Sequence, residues 1–246
     1  MPSSVMPARV MIVAHGQPSD PAPAAAALAR FAARVAEGLP AGTRVASATL
    51  AEADGLERAA AALGDGAGPV RVFPMFMAPG WFTRTALPAR LLEAGLGPEA
   101  VRILPPFGIL DALPDLAVEL LTQALGAAGW AAGESHLLLA AHGSFKSAAP
   151  AEIAARFAAD LAGRLGLAAA APAFIDQSPR IAEARGWPAQ SLCLPFFAAS
   201  GGHVEDDLPK ALTEAGFPGI CLPALGLAAA APALVAAAIR ASIADA

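Results

Sequence analysis

The strongest constraint on the fold of this chain is an internal repeat, in which the second half follows the pattern of the first. RVMIVAHGQPSDP, which begins at residue 9, matches HLLLAAHGSFKSA, which begins at residue 136. Farther on, residues 70–91 match residues 191–212 without a gap, and RILPPFGILDALPDLAVELL matches ICLPALGLAAAAPALVAAAI. Three matches in the same order predict two similar domains. We place them at residues 1–128 and 129–246, with the boundary in the Gly-rich stretch 126–134.

Each copy alternates short apolar runs with Ala- and Leu-rich segments of helical length, a pattern typical of βαβ units and parallel sheets. The runs are apolar throughout, as in strands that helices cover on both faces. The predicted strands span residues 10–14, 45–50, 70–76 and 101–104 in the first copy and 136–141, 171–175, 192–197 and 219–222 in the second. The predicted fold class is therefore α/β, with two similar doubly wound domains whose central parallel sheets we expect to face a cleft.

The composition argues against several classes of function. The net charge is −5, which gives no general attraction to nucleic acid or to an anionic membrane. Residues 220–239 carry no charge, but Ala dominates them and prolines interrupt them, so we expect no membrane span there. Cys193 and Cys221 lie in apolar runs without CxxC spacing, which predicts two buried thiols in a reducing compartment. Since the N terminus also lacks a secretory signal pattern, we expect a cytoplasmic protein.

Two of the four histidines lie where an open parallel sheet binds its ligands, at the carboxyl ends of strands. His142 follows the predicted strand 136–141 directly, and His203 follows the predicted strand 192–197 through a pair of glycines. A neutral imidazole in such a place ligates a transition metal or accepts a proton near pH 7. Either histidine alone is compatible with a structural role, but two at one sheet edge predict a joint functional site.

The other two histidines are less informative. His136 lies at the start of a predicted strand, at the opposite edge from the expected site, and we predict a structural or solvent-exposed role for it. His15 lies opposite His142 in the repeat. Three alternatives stay open for His15: a remnant of a former site, a residue with a purely structural role, or a group that reaches across the cleft to a substrate.

The two copies differ at the place of His203. The ungapped match sets Phe82 opposite His203, so the first half has lost the second imidazole and the sequence predicts one site per chain. Trp81 lies opposite Gly202. These two aromatic side chains either offer an apolar wall to a flat ligand or pack in the core.

At these residues the sequence resembles the class II chelatases, specifically the sirohydrochlorin cobalt and iron chelatases of cobalamin and sirohaem synthesis, in their long form with two halves. The family pattern is an apolar strand followed by HGS, an acidic residue at the next strand end, and PxFxxxGxH followed by Asp-Leu/Ile-Pro. The second half contains AHGS at 141–144, FIDQSP at 174–179 and PFFAASGGHVEDDLP at 195–209. The last match is the most specific, and it favours this type over the ferrochelatases of haem synthesis, which share the broad architecture.

The resemblance implies that His142 and His203 bind an incoming Co²⁺ or Fe²⁺ as a substrate metal and accept the pyrrole protons that it replaces, without a permanent cofactor. Asp176 takes the acidic position, where the family often has Glu, and is an acid/base group, a ligand or a helix N-cap. For Asp207 we favour a first-turn acid that stabilises the following helix. Imidazole ligates both metals, so cobalt and iron stay open.

The substrate implied by the resemblance is a sirohydrochlorin-type tetrapyrrole, which carries many carboxylates. Loop amides and polar side chains near the predicted site are candidates to bind it. By position, these are Ser144, Ser200, Gly201, Gly202, His15, Lys146 and Arg84. No GxxxxGK[ST] motif is present, which agrees with the ATP-independent class of chelatase.

Two other classes of function stay open. The first is a two-lobed protein that binds or carries a tetrapyrrole or a metal without turning it over. The second is a hydrolase or phosphatase that acts through Ser144, although no GxSxG motif supports it.

Overall fold

The computed structural model describes residues 7–66, 68–145 and 147–244. The first repeat contains β1 (Arg9–Ala14), α1 (Pro21–Glu37), β2 (Arg44–Thr49), α2 (Gly55–Leu63), β3 (Val70–Pro74), α3 (Leu87–Glu93), β4 (Val101–Ile103) and α4 (Leu113–Ala128). The second contains β5 (His136–Ala141), α5 (Ala149–Leu165), β6 (Ala169–Phe174), β7 (Ser191–Pro195), α6 (Leu208–Ala215), β8 (Ile220–Cys221) and α7 (Ala231–Ala244). All the predicted strands are present, with small differences at their ends.

The strands form two parallel sheets of the same topology. Their orders are β2-β1-β3-β4 and β6-β5-β7-β8. The register is also repeated, since Ala14 pairs with Thr49 in the first sheet and Ala141 pairs with Phe174 in the second. In each sheet the second strand lies on one side of the first strand, and the third strand lies on the other side. A topological switch point therefore lies between β1 and β3 in the first sheet and between β5 and β7 in the second. The predicted duplicated α/β fold is confirmed.

Burial of both faces of the central strands explains their apolar sequences. In β1, the side chains of Met11 and Val13 pack into the core beneath α2 and α3, while those of Val10 and Ile12 are buried too. In β5, Leu138 and Ala140 belong to the corresponding core of the second sheet. A strand of this kind cannot alternate polar and apolar residues, because water reaches neither of its faces.

The chain divides into two compact units whose bounds differ from the sequence repeat. Unit 1 runs to Leu110 and also includes the chain from Ala229 onward, while unit 2 runs from Asp111 to Ala228. The predicted division at residues 128 and 129 follows the repeat, but α4 packs on α5 in unit 2, and α7 packs on α1 in unit 1. The two final helices, α4 and α7, are thus exchanged between the halves. Sequence periodicity does not reveal this, because it reports that a helix has an apolar face but not which sheet the face covers.

The uncharged stretch 220–239 is divided among three elements. It contains β8, a 3₁₀ turn at Leu225–Leu227 and the first part of α7. Within the described part of the chain, no helix is both long enough and apolar enough to cross a membrane.

The two cysteines lie side by side on β7 and β8, where Cys193 pairs in register with Cys221. Both thiols are free; Cys193 is buried as predicted, but Cys221 is exposed, so its predicted burial is wrong. The reason is that β8 is an edge strand of two residues with little to cover it. A hydrogen bond to Cys221, together with burial, raises the pKa of the Cys193 thiol well above its usual value. The same hydrogen bond lowers the pKa of Cys221.

Candidate active site

The structure brings His142 and His203 together at the switch point of unit 2. His142 follows β5 directly, and His203 begins the turn that leads from β7 into α6. Because β5 and β7 are neighbours in a parallel sheet, both loops emerge at the same edge. The two Nε2 atoms are 2.9 Å apart, and the rings meet edge to face with their centroids 4.3 Å apart. The juxtaposition that the sequence predicted is therefore present.

Each imidazole turns its other nitrogen, Nδ1, toward an oxygen that accepts a hydrogen bond. His142 Nδ1 donates to the carbonyl oxygen of Gly143 at 3.1 Å, and His203 Nδ1 donates to the carboxylate of Asp207 at 2.8 Å. When both rings are neutral, each Nδ1 therefore carries the hydrogen and each Nε2 presents a lone pair. Two lone pairs that face each other at 2.9 Å repel one another unless a proton or a metal ion lies between them.

The turn after His142 is held by Gly143 and Gln177. Gly143 has a φ of +78°, and a Cβ there would lie 2.6 Å from Cγ of Gln177. The side-chain oxygen of Gln177 accepts a hydrogen bond from the backbone N–H of Ser144 at 2.6 Å. Gln177 was not among the predicted site residues, although its position in the matched segment FIDQSP was an available signal. The glycine is required both by the left-handed backbone and by this close contact.

His203 opens a π-helical turn, His203–Asp207, in which the backbone N–H of Leu208 donates to the carbonyl oxygen of His203. This geometry places the carboxylate of Asp207 against the imidazole of His203. Asp207 directly precedes α6, and its side chain makes no capping hydrogen bond to that helix. Its predicted role as a helix-stabilising charge stays a prediction, and its contact with the imidazole is an additional one that was not predicted. Single π-helical turns inside helices often occur at functional sites.

Asp176 lies beside His142 but contacts it less closely. Its Oδ2 is 3.4 Å from His142 Nδ1, which already donates to Gly143. The alternative of a helix N-cap is wrong, because the next helical turn, Ile181–Glu183, is preceded by Arg180 in the N-cap position. Each imidazole therefore has one carboxylate near its Nδ1, at 3.4 Å for His142 and 2.8 Å for His203.

The site is open to solvent and offers few metal ligands. The side chains of His142 and His203 are 43% and 47% exposed, so ions and protons reach both rings. In residues 7–66, 68–145 and 147–244, no three His, Cys, Asp or Glu side chains are grouped so that they would hold a metal ion. Two imidazoles leave most coordination positions of a metal unfilled, which suits an ion that is passed on more than one that is retained.

The remaining candidates in unit 2 have different surroundings. Ser200 and Gly201 precede His203 in the loop after β7, and the carbonyl oxygen of Gly201 accepts hydrogen bonds from the N–H groups of two residues of the π-helical turn. Gly202 has a φ of −51°, a helical conformation that any residue adopts. Lys146 lies outside the described residues. His136 begins β5, at the opposite edge of the sheet from His142.

In unit 1, the corresponding edge carries aromatic side chains. His15 Nδ1 lies 3.0 Å from the carbonyl oxygen of Gly16, as His142 does from that of Gly143. The ring of Phe82 packs edge to face against His15 with centroids 4.6 Å apart. Trp81 is 65% exposed and Phe82 is 38% exposed, so the alternative that they pack in the core is wrong.

Comparison with known proteins agrees with these features. The CbiX family model matches residues 9–124 and 136–242. In the solved structures, CbiX, the terminal enzyme for biosynthesis of siroheme in denitrifying bacteria, is 48% identical, with 95% of this chain and 99% of that chain covered and a TM-score of 0.85.

Two more distant structures share the fold. SirB from Bacillus subtilis with Fe³⁺ is 15% identical over 97% of this chain and 96% of that chain, with a TM-score of 0.71. The sirohydrochlorin chelatase SirB from Bacillus subtilis subspecies spizizenii in complex with cobalt is 14% identical over 95% of this chain and 94% of that chain, with a TM-score of 0.67. No curated protein matches the sequence. Because the family model covers both halves and CbiX is 48% identical over nearly the whole chain, this protein belongs to the CbiX family.

Proposed function

We propose that this chain is a sirohydrochlorin chelatase, a lyase that inserts Co²⁺ or Fe²⁺ into the tetrapyrrole without ATP in cobalamin or sirohaem biosynthesis. The observation that carries the proposal is the pair of imidazoles whose Nε2 atoms converge at 2.9 Å. Membership of the CbiX family supports it, since the 48% identical relative is the terminal enzyme of siroheme biosynthesis.

The spacing of the two nitrogens suits a shared metal ion. With metal–nitrogen bonds of about 2.1 Å, as imidazole makes to zinc, a separation of 2.9 Å corresponds to an angle of about 90° at the metal. Two ligands at this angle occupy one side of the ion. The opposite side is then free for the four ring nitrogens of a tetrapyrrole, which take the metal over.

The same two nitrogens balance the protons of the reaction. Insertion of a divalent ion releases two pyrrole protons. When the metal passes to the ring, the two Nε2 lone pairs are free again, and the pair accepts the two protons one after the other and passes each to solvent, since only one proton fits between nitrogens 2.9 Å apart. His142 and His203 are thus metal ligands before the transfer and bases during it, and solvent then removes the protons from the two exposed rings.

The two carboxylates stabilise the charge that this exchange creates. Asp207 accepts the hydrogen bond of His203 Nδ1, which holds the ring in the tautomer that binds metal and stabilises the imidazolium that forms later. Asp176 supports His142 through space at 3.4 Å. We assign Asp176 as an auxiliary catalytic residue, not as a metal ligand.

The loops around the pair supply the proposed contacts to substrate carboxylates. We assign this role to the side chains of Ser144 and Ser200 and to the backbone amides of Ser200, Gly201 and Gly202, because the backbone N–H of Ser144 already donates to Gln177. We also propose His15 as a substrate-binding residue. Backbone N–H groups in turns bind anions without adding net charge, which matters in a protein whose own net charge is −5. We further propose a cytoplasmic location, which the two free thiols support.

Anaerobic incubation with sirohydrochlorin and Co²⁺ or Fe²⁺, followed by absorbance, tests the proposal. We expect the wild type to insert metal, and His142→Ala and His203→Ala to lose at least about 100-fold in kcat, as expected for removal of a group that both binds the metal and accepts a proton. His136→Ala is the matched control, because His136 lies at the other end of the strand that His142 follows and should leave kcat unchanged.

Three outcomes are informative. Loss of insertion in both site variants, with full activity in His136→Ala, supports the proposal. Full activity of His203→Ala would refute the two-histidine mechanism. Binding of the tetrapyrrole or the metal by the wild type, with no insertion of either ion, would favour the carrier function instead.

A further inference from the structure

The edge of unit 1 that corresponds to the histidine pair forms a compact cluster of rings. Phe82 packs edge to face on His15 with centroids 4.6 Å apart, stacks on Phe76 at 6.0 Å and contacts Trp81 at 5.1 Å. We call these four residues, His15, Phe76, Trp81 and Phe82, the aromatic edge. Three of them come from the loop after β3, and His15 comes from the loop after β1. The cluster therefore lies at the switch point of its sheet, where such folds bind ligands.

Hydrogen bonds hold the backbone of the aromatic edge, although much of its surface is exposed. Phe82 begins a π-helical turn, Phe82–Ala86, closed by a hydrogen bond from the N–H of Leu87 to the carbonyl oxygen of Phe82. The side chain of Thr83 accepts a hydrogen bond from the N–H of Gly80 at 2.9 Å, which fixes the start of the turn. Trp81 nevertheless has 65% of its surface in water. A preformed, exposed indole loses little freedom when a flat ligand stacks on it.

Metal chemistry does not account for this edge. In place of His203 stands Phe82, which has no lone pair to offer. The register of the strands sets Ala51 at the place of Asp176, and the ungapped match sets Ala86 at the place of Asp207. This edge therefore offers the aromatic rings of Phe76, Trp81 and Phe82 beside the single imidazole of His15.

One cation accompanies the ring surface. Arg84 lies in the same π-helical turn and is exposed. Its guanidinium forms no ion pair with any residue in the described parts of the chain. An apolar surface next to an unpaired guanidinium complements a flat molecule that carries carboxylates at its rim.

We propose that the aromatic edge of unit 1 binds the flat face of a carboxylated tetrapyrrole, with the rings of Trp81 and Phe82 stacked against the macrocycle and Arg84 paired with a rim carboxylate. The inference rests on the proposed function for the identity of the ligand. It concerns binding alone, so these residues contribute to affinity for the ring and not to transfer of the metal. On this proposal, Phe82 in unit 1 provides a stacking surface at the position where unit 2 has His203, a proposed metal ligand.

The test measures equilibrium binding of metal-free sirohydrochlorin by dialysis, together with KM and kcat for Co²⁺ insertion. We expect Trp81→Ala and Phe82→Ala each to raise the Kd and KM by about tenfold, the effect of losing one aromatic contact, and to leave kcat within about twofold. Trp81→Phe should recover most of the affinity. Arg84→Gln should weaken binding, and Arg84→Lys should restore part of it.

Leu92→Ala is the matched control, because Leu92 also belongs to unit 1 and is 61% exposed but lies on α3 away from the strand ends. It should bind like the wild type. Unchanged Kd in Trp81→Ala, or a fall in kcat without a change in KM, would overturn the inference.

The outcomes separate this inference from the proposed function. If the wild type binds the tetrapyrrole but inserts no metal, and Trp81→Ala binds it more weakly, the aromatic edge is supported although the chelatase function fails. If the wild type inserts metal and Trp81→Ala has unchanged Kd, the chelatase function stands and the aromatic edge is refuted.

Discussion

The corresponding edges of the two units share a backbone but differ in their side chains. In both, a glycine with φ near +77° or +78° follows the first histidine, and the imidazole Nδ1 lies 3.0 or 3.1 Å from that glycine's carbonyl oxygen. In both, a π-helical turn follows the third strand, at Phe82–Ala86 in unit 1 and His203–Asp207 in unit 2. Even the ring contact is kept, edge to face at 4.6 Å and 4.3 Å.

Four substitutions account for the chemical difference between these edges. Where unit 2 has His203, Gly202, Asp176 and Asp207, unit 1 has Phe82, Trp81, Ala51 and Ala86. The backbone frame is therefore compatible with either set, and the side chains alone decide between a pair of converging lone pairs and a surface of aromatic rings. A shared fold therefore does not give the two edges the same chemistry.

The largest effect is expected when unit 2 is given the side chain of unit 1. We predict that His203→Phe lowers kcat for Co²⁺ insertion at least about 100-fold, because it removes one of the two proposed metal ligands and proton acceptors while an edge-to-face ring contact with His142 stays possible. The measurement is the initial rate under anaerobic conditions. Unit 1 already has Phe82 at the position of His203, so the comparison variant is His15→Phe, which removes the remaining histidine of that edge and should leave kcat nearly unaffected. Comparable losses in both variants would contradict a single site in unit 2.

A smaller effect is expected from the carboxylates. We predict that Asp207→Ala weakens Co²⁺ binding by about 10- to 100-fold, since it removes the group that orients His203, a proposed metal ligand. Asp176→Ala should have less effect, because Asp176 is 3.4 Å from an Nδ1 that already donates to Gly143. Calorimetric titration with Co²⁺ measures both. Asp207→Asn keeps an acceptor without the charge, and affinity close to the wild type would show that orientation matters more than charge.

The reverse exchange should create a weak second site. We predict that the triple variant Ala51→Asp, Phe82→His and Ala86→Asp binds one additional equivalent of Co²⁺ with a Kd higher than that of the native site, because the backbone frame is already present. Equilibrium dialysis gives the stoichiometry. The double variant that retains Phe82 is the control and should gain nothing. A folded triple variant with unchanged stoichiometry would show that the shared frame is not sufficient for metal binding.

The smallest effect concerns the pair of strands that carries the cysteines. Val72 and Ile103 are paired in unit 1 where unit 2 pairs Cys193 and Cys221. The hydrogen bond from Cys193 lowers the pKa of Cys221, so the thiolate of Cys221 forms at lower pH. We predict that Cys193→Val, which imitates unit 1, moves the pH profile of Cys221 alkylation to higher pH. Mass spectrometry after iodoacetamide treatment measures it, and a profile that moves to lower pH would refute the assigned hydrogen bond.

Much of this arrangement was predictable from local sequence patterns. The buried strands follow from apolar runs that end at polar turns, and the placement of His142 and His203 at one sheet edge follows from the rule that parallel strands present their carboxyl ends together. The difference between the units was also visible, because the ungapped match sets Phe82 opposite His203.

Other features depend on contacts that sequence patterns do not encode. An acid before a helix is usually a favourable first-turn charge, so the sequence pointed to that role for Asp207 and not to a contact with His203. The contact depends on a π-helical turn that the residue pattern does not reveal. Gln177 was missed because its contact with the backbone of Ser144 joins two separate loops.

The sequence by itself determined the duplication, the parallel sheets and the two histidines at strand ends, because each of these follows from the periodicity, the spacing and the types of the residues. Only the tertiary structure decided that the two Nε2 atoms meet at 2.9 Å, that Asp207 and Asp176 lie beside them, and that α4 and α7 are exchanged between the units. The physical reason is that these features depend on which surfaces and side chains meet after folding. A local pattern fixes the environment that a residue needs, but not the partner that provides it.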